Sequence, residues 1–199
     1  MSRISYIEQV TSWRRALNAA RQTVGKKPLS KEPSDEWKAK ILLAEHSPIR
    51  LVEYDWKWED IPQWVTAHFV RHHEGCEKFV HSQRDDRNSN PISRSNMPQG
   101  SPNDMIMTAN AQALINISRK RLCARAAVET SMAWHKVKFE IEKIDPVLAS
   151  KMVPECIYRG FCPEPNSCGF WKSKEYARQL AKYRKEGHDP NTLNEDDKV

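Results

Sequence analysis

Two runs of this sequence carry side chains suited to holding an anion beside a polar ring. The first is Arg71-His72-His73, followed by Ser82-Gln83-Arg84. Arginine at a helix end can grip phosphate through its planar fork of N–H donors, with histidine beside it. A hydroxyl and a second arginine a few residues later can hold a second anionic group. His68 lies one turn before Arg71 and His72, on the same helical face. The same cations also suit a solvated helix end, where they complement the dipole. The second run is Asn110, Gln112, Asn116 and Arg121. On a helix, Asn110 and Arg121 share one face and Gln112 and Asn116 a neighbouring one. Amides on an otherwise buried helix are costly unless hydrogen-bonded. They therefore meet either the polar edge of a bound heterocycle or a neighbouring loop.

A third set, Cys156, Cys162 and Cys168, is a weak metal candidate. Three thiolates with a histidine could bind zinc, but the spacing is wider than the usual C-x2–4-C pair. Free thiols in a C-terminal lid are the alternative, and the expectation is no metal. The chain has 5 cysteines, an odd number, so a disulfide framework is not expected. None has a histidine-paired context, so covalent cysteine catalysis is unsupported.

These residues need elements to position them. Ile7, Val10, Trp13, Leu17 and Ala20 predict a helix over 6–24, ended by Gly25-Lys26-Lys27-Pro28. Ser34-Asp35 caps a second helix over 36–45, stopped by His46-Ser47-Pro48. Val52, Tyr54 and Trp56 alternate with Glu53, Asp55 and Lys57, predicting a strand over 50–57. Asp60 and Pro62 open a helix expected to reach about His73. Residues 76–83 read as a short strand and 84–104 as loop. A long helix is expected from about Asp104 to Lys143, with 145–152 extending it or forming another. Loop over 153–170, a last helix over 171–185 and a polar tail over 186–199 complete the chain. The expected class is α+β, a small sheet packed with long helices. Residues 1–199 read as a single domain: an N-terminal helical extension over 1–40, a core over 41–150, and a C-terminal cysteine-containing loop, helix and tail over 151–199.

Composition sets outer limits. A chain of 199 residues can bury a core without a metal or disulfide. Mean hydropathy is -0.77, and no apolar run approaches a membrane span. No secretory signal is visible, so the cytoplasm is the expected compartment. A net charge of +6 is too mild to demand nucleic acid.

Taken in order, these motifs resemble the flavin-dependent thymidylate synthases. That family carries an R-H-R-x7-S motif with a further arginine two after the serine; here stand Arg71-His72-His73 and Ser82-Gln83-Arg84. Its His-x-Ser/Thr-Pro-like turn is similar to Glu45-His46-Ser47-Pro48. Its Arg-x-x-x-Pro segment is similar to Arg94 and Pro98, and its Asn-Ala-Arg helix to Asn110-Ala111-Gln112, with Asn116 and Arg121 following. The resemblance covers roughly residues 41–140. It implies an α+β fold and a homotetramer with active sites at subunit interfaces. It implies reductive methylation of dUMP with FAD as hydride carrier and NADPH and methylenetetrahydrofolate as co-substrates. By the same resemblance Ser47, Arg71, His72, His73, Asn110, Gln112 and Asn116 contact FAD. Ser82, Arg84, Arg94, Arg121 and His68 hold the nucleotide, and Arg121 is catalytic, its charge favouring the ionised pyrimidine N3.

The chain departs from the family pattern at several points. His73 replaces an arginine, and the gap to Ser82 is one residue longer, so His81 competes for the serine's place. Glu77 is the nearest counterpart of the family's acidic residue. Gln112 replaces an arginine, and the stretch between Arg84 and Arg94 is short. These changes motivate a second reading, modification of another pyrimidine such as dCMP, or hydroxymethyl transfer. A third, motivated by charge and 7 tryptophans, is a non-catalytic nucleic-acid or partner-binding module.

Overall fold

A computed structural model describes residues 2–87, 92–185 and 187. Its centre is a sheet of four strands: β1 (Arg3–Gln9), β2 (Glu53–Pro62), β3 (Cys76–Val80) and β4 (Pro102–Asn110). Their spatial order is β1-β2-β4-β3 and every pair is antiparallel. The eight helices are α1 (Trp13–Thr23), α2 (Asp35–Leu43), α3 (Gln63–Val70), α4 (Ala111–Arg121), α5 (Val128–Ile144), α6 (Pro146–Lys151), α7 (Glu155–Arg159) and α8 (Lys174–Arg184) among the described residues. A short 3-10 turn, Ser47–Leu51, leads into β2. The class is α+β, as expected.

The alternation in β2 does what a half-buried strand requires. Tyr54, Trp56 and Trp58 are fully buried, while Glu53, Asp55 and Lys57 face the opposite side. Trp58 stacks on Phe69 of α3 at 4.7 Å between ring centroids, and Trp134 of α5 meets Trp56 at 6.0 Å. The indole N–H of Trp134 donates to Ser118 Oγ of α4 at 2.9 Å. This aromatic block fastens three helices to one face of the sheet, with each ring contact adding to the burial itself. Asp145 binds the far end of the core. Its Oδ2 accepts from Trp13 Nε1 at 2.5 Å and Tyr54 Oη at 2.6 Å, and its Oδ1 accepts the Leu148 N–H that opens α6 at 3.0 Å.

Several expectations are corrected. The helix expected over 6–24, and with it the helical extension over 1–40, begins only at Trp13; residues 3–9 are an edge strand paired with β2. Asp60 caps no helix. It sits at φ 54 where the β2–β4 register slips, and β2 continues to Pro62 before α3 begins. The long helix expected from Asp104 is a strand up to Asn110, then two helices separated at 122–127. Asn103, Met105, Met107 and Ala109 are buried alternately, and β4 is bonded on both sides. Two complete ladders outweigh the helical propensity of Met and Ala. Residues 153–170 also include α7. The expected tail over 186–199 lies, apart from Gly187, outside the described residues. Among the described residues no helix is long and apolar enough to cross a membrane.

Candidate functional site

Three chain segments meet at one end of the sheet. The turn after α3 runs through Arg71-His72-His73-Glu74 to Gly75, whose φ is +70. Gly75 accepts the Asn110 N–H through its carbonyl at 2.9 Å, and Ala111 N–H reaches the Val52 carbonyl at 2.8 Å. The Asn110 side chain then caps α4, its Oδ1 accepting from Ala113 N–H at 2.9 Å. The segment from Glu45, itself at φ 50, completes the meeting point.

Two clefts open here. One, of about 660 Å³, is lined by Glu45, Arg50, Asn110, Gln112 and Asn116 with Glu74 and Gly75 at its edge. The other, of about 320 Å³, is lined by Arg71, His72, His73 and Glu74 against Asn116 and Ile117 of α4. Glu74, Ala113 and Asn116 belong to both, so the clefts adjoin. The N-terminus of an 11-residue helix opens into the larger one, adding a positive dipole end beside Arg50.

Behind the smaller cleft lies a fixed arginine. Arg121 Nε donates to His72 Nε2 at 3.0 Å, and Arg121 Nη2 donates to the His68 carbonyl at 2.8 Å. His72 must be neutral to accept that bond. Burial, then the Arg121 charge, depresses its pKa to about 4. The His68 ring bonds Thr130 Oγ1 at 2.7 Å through Nδ1, and burial lowers its pKa too. Arg121 keeps its charge although burial and Arg71 oppose it. The result is a guanidinium held in a fork geometry by two acceptors that add no negative charge.

Gln112 is held differently. Its Nε2 donates to Glu45 Oε2 at 2.5 Å and to Asn116 Oδ1 at 3.3 Å. Glu45 also pairs with Arg119, whose guanidinium lies 3.4 Å from the centroid of the Tyr158 ring. One carboxylate thus links the cleft floor to α7.

The structure brings together Arg71, His72, His73, Asn110, Gln112 and Asn116 around the clefts; Arg121, at the other end of α4, lines neither and reaches the group through His72 and the His68 carbonyl. It does not bring Ser82, Arg84 and Arg94 to that place. Ser82 lines a separate shallow pocket with Lys57, Phe79 and Asp104. Arg84 forms a two-point bridge to Asp86, both contacts at 2.8 Å, and the Arg94 N–H bonds Asp85 at 2.9 Å. Ser47 is exposed at the start of the 3-10 turn and lines neither cleft, although Glu45 and Arg50 on either side do. Glu45, Arg50 and Glu74 were missed by sequence reasoning. Their only signal was proximity to a recognised turn, since an isolated charge in a loop usually reads as solvated.

No family model matches the chain. A curated relative, the flavin-dependent thymidylate synthase of Clostridium tetani, is 36% identical over 73 residues, an alignment covering 36% of this chain and 29% of that relative. The solved flavin-dependent thymidylate synthase of Helicobacter pylori, complexed with FAD and dUMP, superposes with a TM-score of 0.60 at 12% identity, covering 76% of this chain and 99% of the other. The chain has the flavin-dependent thymidylate synthase fold. It carries that fold in a divergent form. The UMP/dUMP methylase PolB of Streptomyces cacaoi, bound with 5-Br dUMP, superposes with a TM-score of 0.56 at 12% identity, over 81% of this chain and 95% of its own. Within the flavin-dependent thymidylate synthase fold, six of the 7 tryptophans behind the nucleic-acid reading serve as packing, and Trp171 is exposed. Trp13, Trp56, Trp58 and Trp134 are buried, and Trp37 and Trp64 pack against the core.

Proposed function

We propose that this chain is a flavin-dependent enzyme that methylates the pyrimidine of dUMP. The observation that carries the reading is the convergence of the Arg71–Gly75 turn with Asn110, Gln112 and Asn116 in adjoining clefts of this fold, with Arg121 tied to His72 at the edge of the smaller one. The clefts have the size and the polar lining that a dinucleotide cofactor needs. Their volumes of about 660 and 320 Å³ reach the range typical of cofactor sites, and Arg50, Arg71 and the α4 N-terminus supply positive charge for its phosphates.

In this reading Arg71, His72, His73, Asn110, Gln112 and Asn116 hold FAD, with Ser47 at the margin. Bound FAD supplies the hydride, with NADPH as reductant and methylenetetrahydrofolate as carbon donor. The protein positions and polarises. Arg121 presents a fixed positive charge to the pyrimidine, where it favours the ionised N3, and its two anchors keep that charge from wandering. His68 shapes the nucleotide edge. Ser82, Arg84 and Arg94 bind the nucleotide from the cleft of another subunit in a homotetramer, which accounts for their distance from Arg121 within one chain.

The test is uptake. Purified protein incubated with FAD turns yellow, and FAD with dUMP raises the melting temperature. At ligand about 100 times Kd, linkage stabilises the native state by about 2.7 kcal/mol. A colourless protein with an unmoved melting temperature refutes the proposal. A second reading is favoured by one contact. Gln112, where the family has arginine, is tied to Glu45 rather than free to meet an anion. That alteration suits a different pyrimidine or donor, such as dCMP methylation or hydroxymethylation. Weighing the products of separate dUMP and dCMP incubations decides between them.

A further inference from the structure

Four of the 5 cysteines face one cavity. Cys123 comes from the turn after α4, Cys156 from α7, and Cys162 and Cys168 from the segment before α8. Only the last three were close in sequence, so the arrival of Cys123 is a product of the fold. The cavity measures about 280 Å³. None of the four thiols is in a disulfide, and Cys76, the fifth, lies on β3 outside this group.

Charged side chains border the thiols. Arg125 and Lys138 line the cavity and supply positive charge where four thiolates would leave a net negative site, while burial favours the neutral form of His135. Glu155 and Glu164 line it too; the Glu155 carboxylate is committed to Arg159 at 2.5 Å and Lys120 at 3.5 Å.

Polar ties hold α7 and α8, through Lys120–Glu155, Arg119 over the Tyr158 ring and Lys151 to the Tyr183 carbonyl, but none reaches the segment between them. Among the described residues the separate apolar cluster has Val153, Ile157, Tyr176 and Tyr183 as its buried members. Residues 161–168 form no main-chain hydrogen bond with another described residue. A segment without ladder or core commonly relies on a cross-link.

We propose that Cys123, Cys156, Cys162 and Cys168 form a structural site for one thiophilic divalent ion of the zinc class, stapling the C-terminal segment to the end of α4. Among the described residues no three His, Cys, Asp or Glu side chains are arranged around a common point. Closure therefore requires rotation of the cysteine side chains and movement of the weakly tethered 161–168 segment. On binding, four S–H bonds break, four Zn–S bonds form at about 2.3 Å, and the protons leave to solvent. The ion's role is structural, because four protein ligands leave no open position for a substrate.

The experiment uses the full chain, reduced, loaded with zinc and dialysed. Inductively coupled plasma mass spectrometry is expected to give about one zinc per chain. A thiol reagent is expected to leave four thiols protected until a chelator is added. Cys123→Ser and Cys168→Ser should each lose most of the metal, while Cys76→Ser keeps it. If a serine variant does not fold, cobalt loading of the unaltered chain decides, because tetrahedral thiolate ligation gives an intense sulfur-to-cobalt band. Zinc below a tenth of an equivalent, rapid reaction of every thiol in the zinc-treated protein, a disulfide between any two of the four, or undiminished zinc in both serine variants each overturns the assignment.

Discussion

Replacing Gly75 by alanine tests how the cleft is built. Gly75 has φ +70, and a Cβ placed there would stand 2.5 Å from Asn110 Nδ2 and 2.8 Å from its Oδ1. Two costs follow. Holding an L-residue in the left-handed region costs about 1–2 kcal/mol. Pushing Asn110 aside forfeits its cap on α4, about 1 kcal/mol more. The sum, roughly 2–3 kcal/mol, lowers the melting temperature by about 4–12 °C for a chain of this size. Gly25→Ala serves as the control, since Gly25 has φ +68 with nothing within 4 Å of the added Cβ. It should pay the backbone term alone. In an Asn110→Ala background, Gly75→Ala should fall to that same backbone term, because the clashing atoms are gone. Differential scanning calorimetry on the four proteins completes the cycle, and FAD titration should show weaker uptake wherever Asn110 is displaced. Equal losses for Gly75→Ala and Gly25→Ala, or an undiminished loss without the Asn110 side chain, would refute the reasoning.

Three further outcomes are expected. Asp145→Asn removes an anionic acceptor from Trp13 and Tyr54, costing about 3 kcal/mol, read as a lower urea midpoint with an unchanged slope. The Tyr54 hydroxyl, held protonated by burial and then by Asp145, should become easier to ionise in that variant. His72 is depressed from its ordinary 6.5 to about 4, so the unfolded chain binds the extra proton in that window. Its contribution is present above 6.5 and lost as pH falls toward 4; His72→Gln, which keeps an acceptor for Arg121, should flatten that part of the stability profile. Arg121→Lys replaces a fork anchored at two points by a single ammonium, so turnover should fall at least about 100-fold in a steady-state methylation assay, with FAD uptake little changed.

Legibility in the sequence tracked how strongly a local pattern excluded its rival. Val52, Tyr54 and Trp56 alternate with Glu53, Asp55 and Lys57, a pattern that suits a half-buried strand, and β2 formed from Glu53 onward. Ser34 was readable as a cap because its hydroxyl competes for the first turn of a helix, and it accepts the Trp37 N–H at 3.3 Å. β4 was not readable. Met105, Met107 and Ala109 are good helix formers that run without Gly or Pro into α4, and pairing with both β2 and β3 decides the matter. The break at 122–127 is equally silent, since Leu122, Cys123, Ala124 and Arg125 include neither Gly nor Pro. That error propagated into the site. Read inside a helix, Asn110 and Arg121 share a face; with β4 in place, Asn110 is a cap at a strand–helix junction and Arg121 sits at the far end of α4. The motif Arg71-His72-His73 was legible as a cluster, but the partnership of His72 with Arg121, across 49 positions, was not.

The position of the β3–β4 connection has an evolutionary consequence. Val80 and Met105 are ladder partners at the mouth of that connection, so the segment leaves the sheet and returns to it at neighbouring points. Its length can change while both ends stay fixed, and each doubling of such a loop costs only about 0.6 kcal/mol in closure entropy. It carries Ser82, Arg84 and Arg94. A chain built on this scaffold can therefore shorten, lengthen or rewrite that segment at little thermodynamic penalty, while the Val80–Met105 pairing and the clefts at the Cys76–Ala109 end of the same ladder keep their geometry.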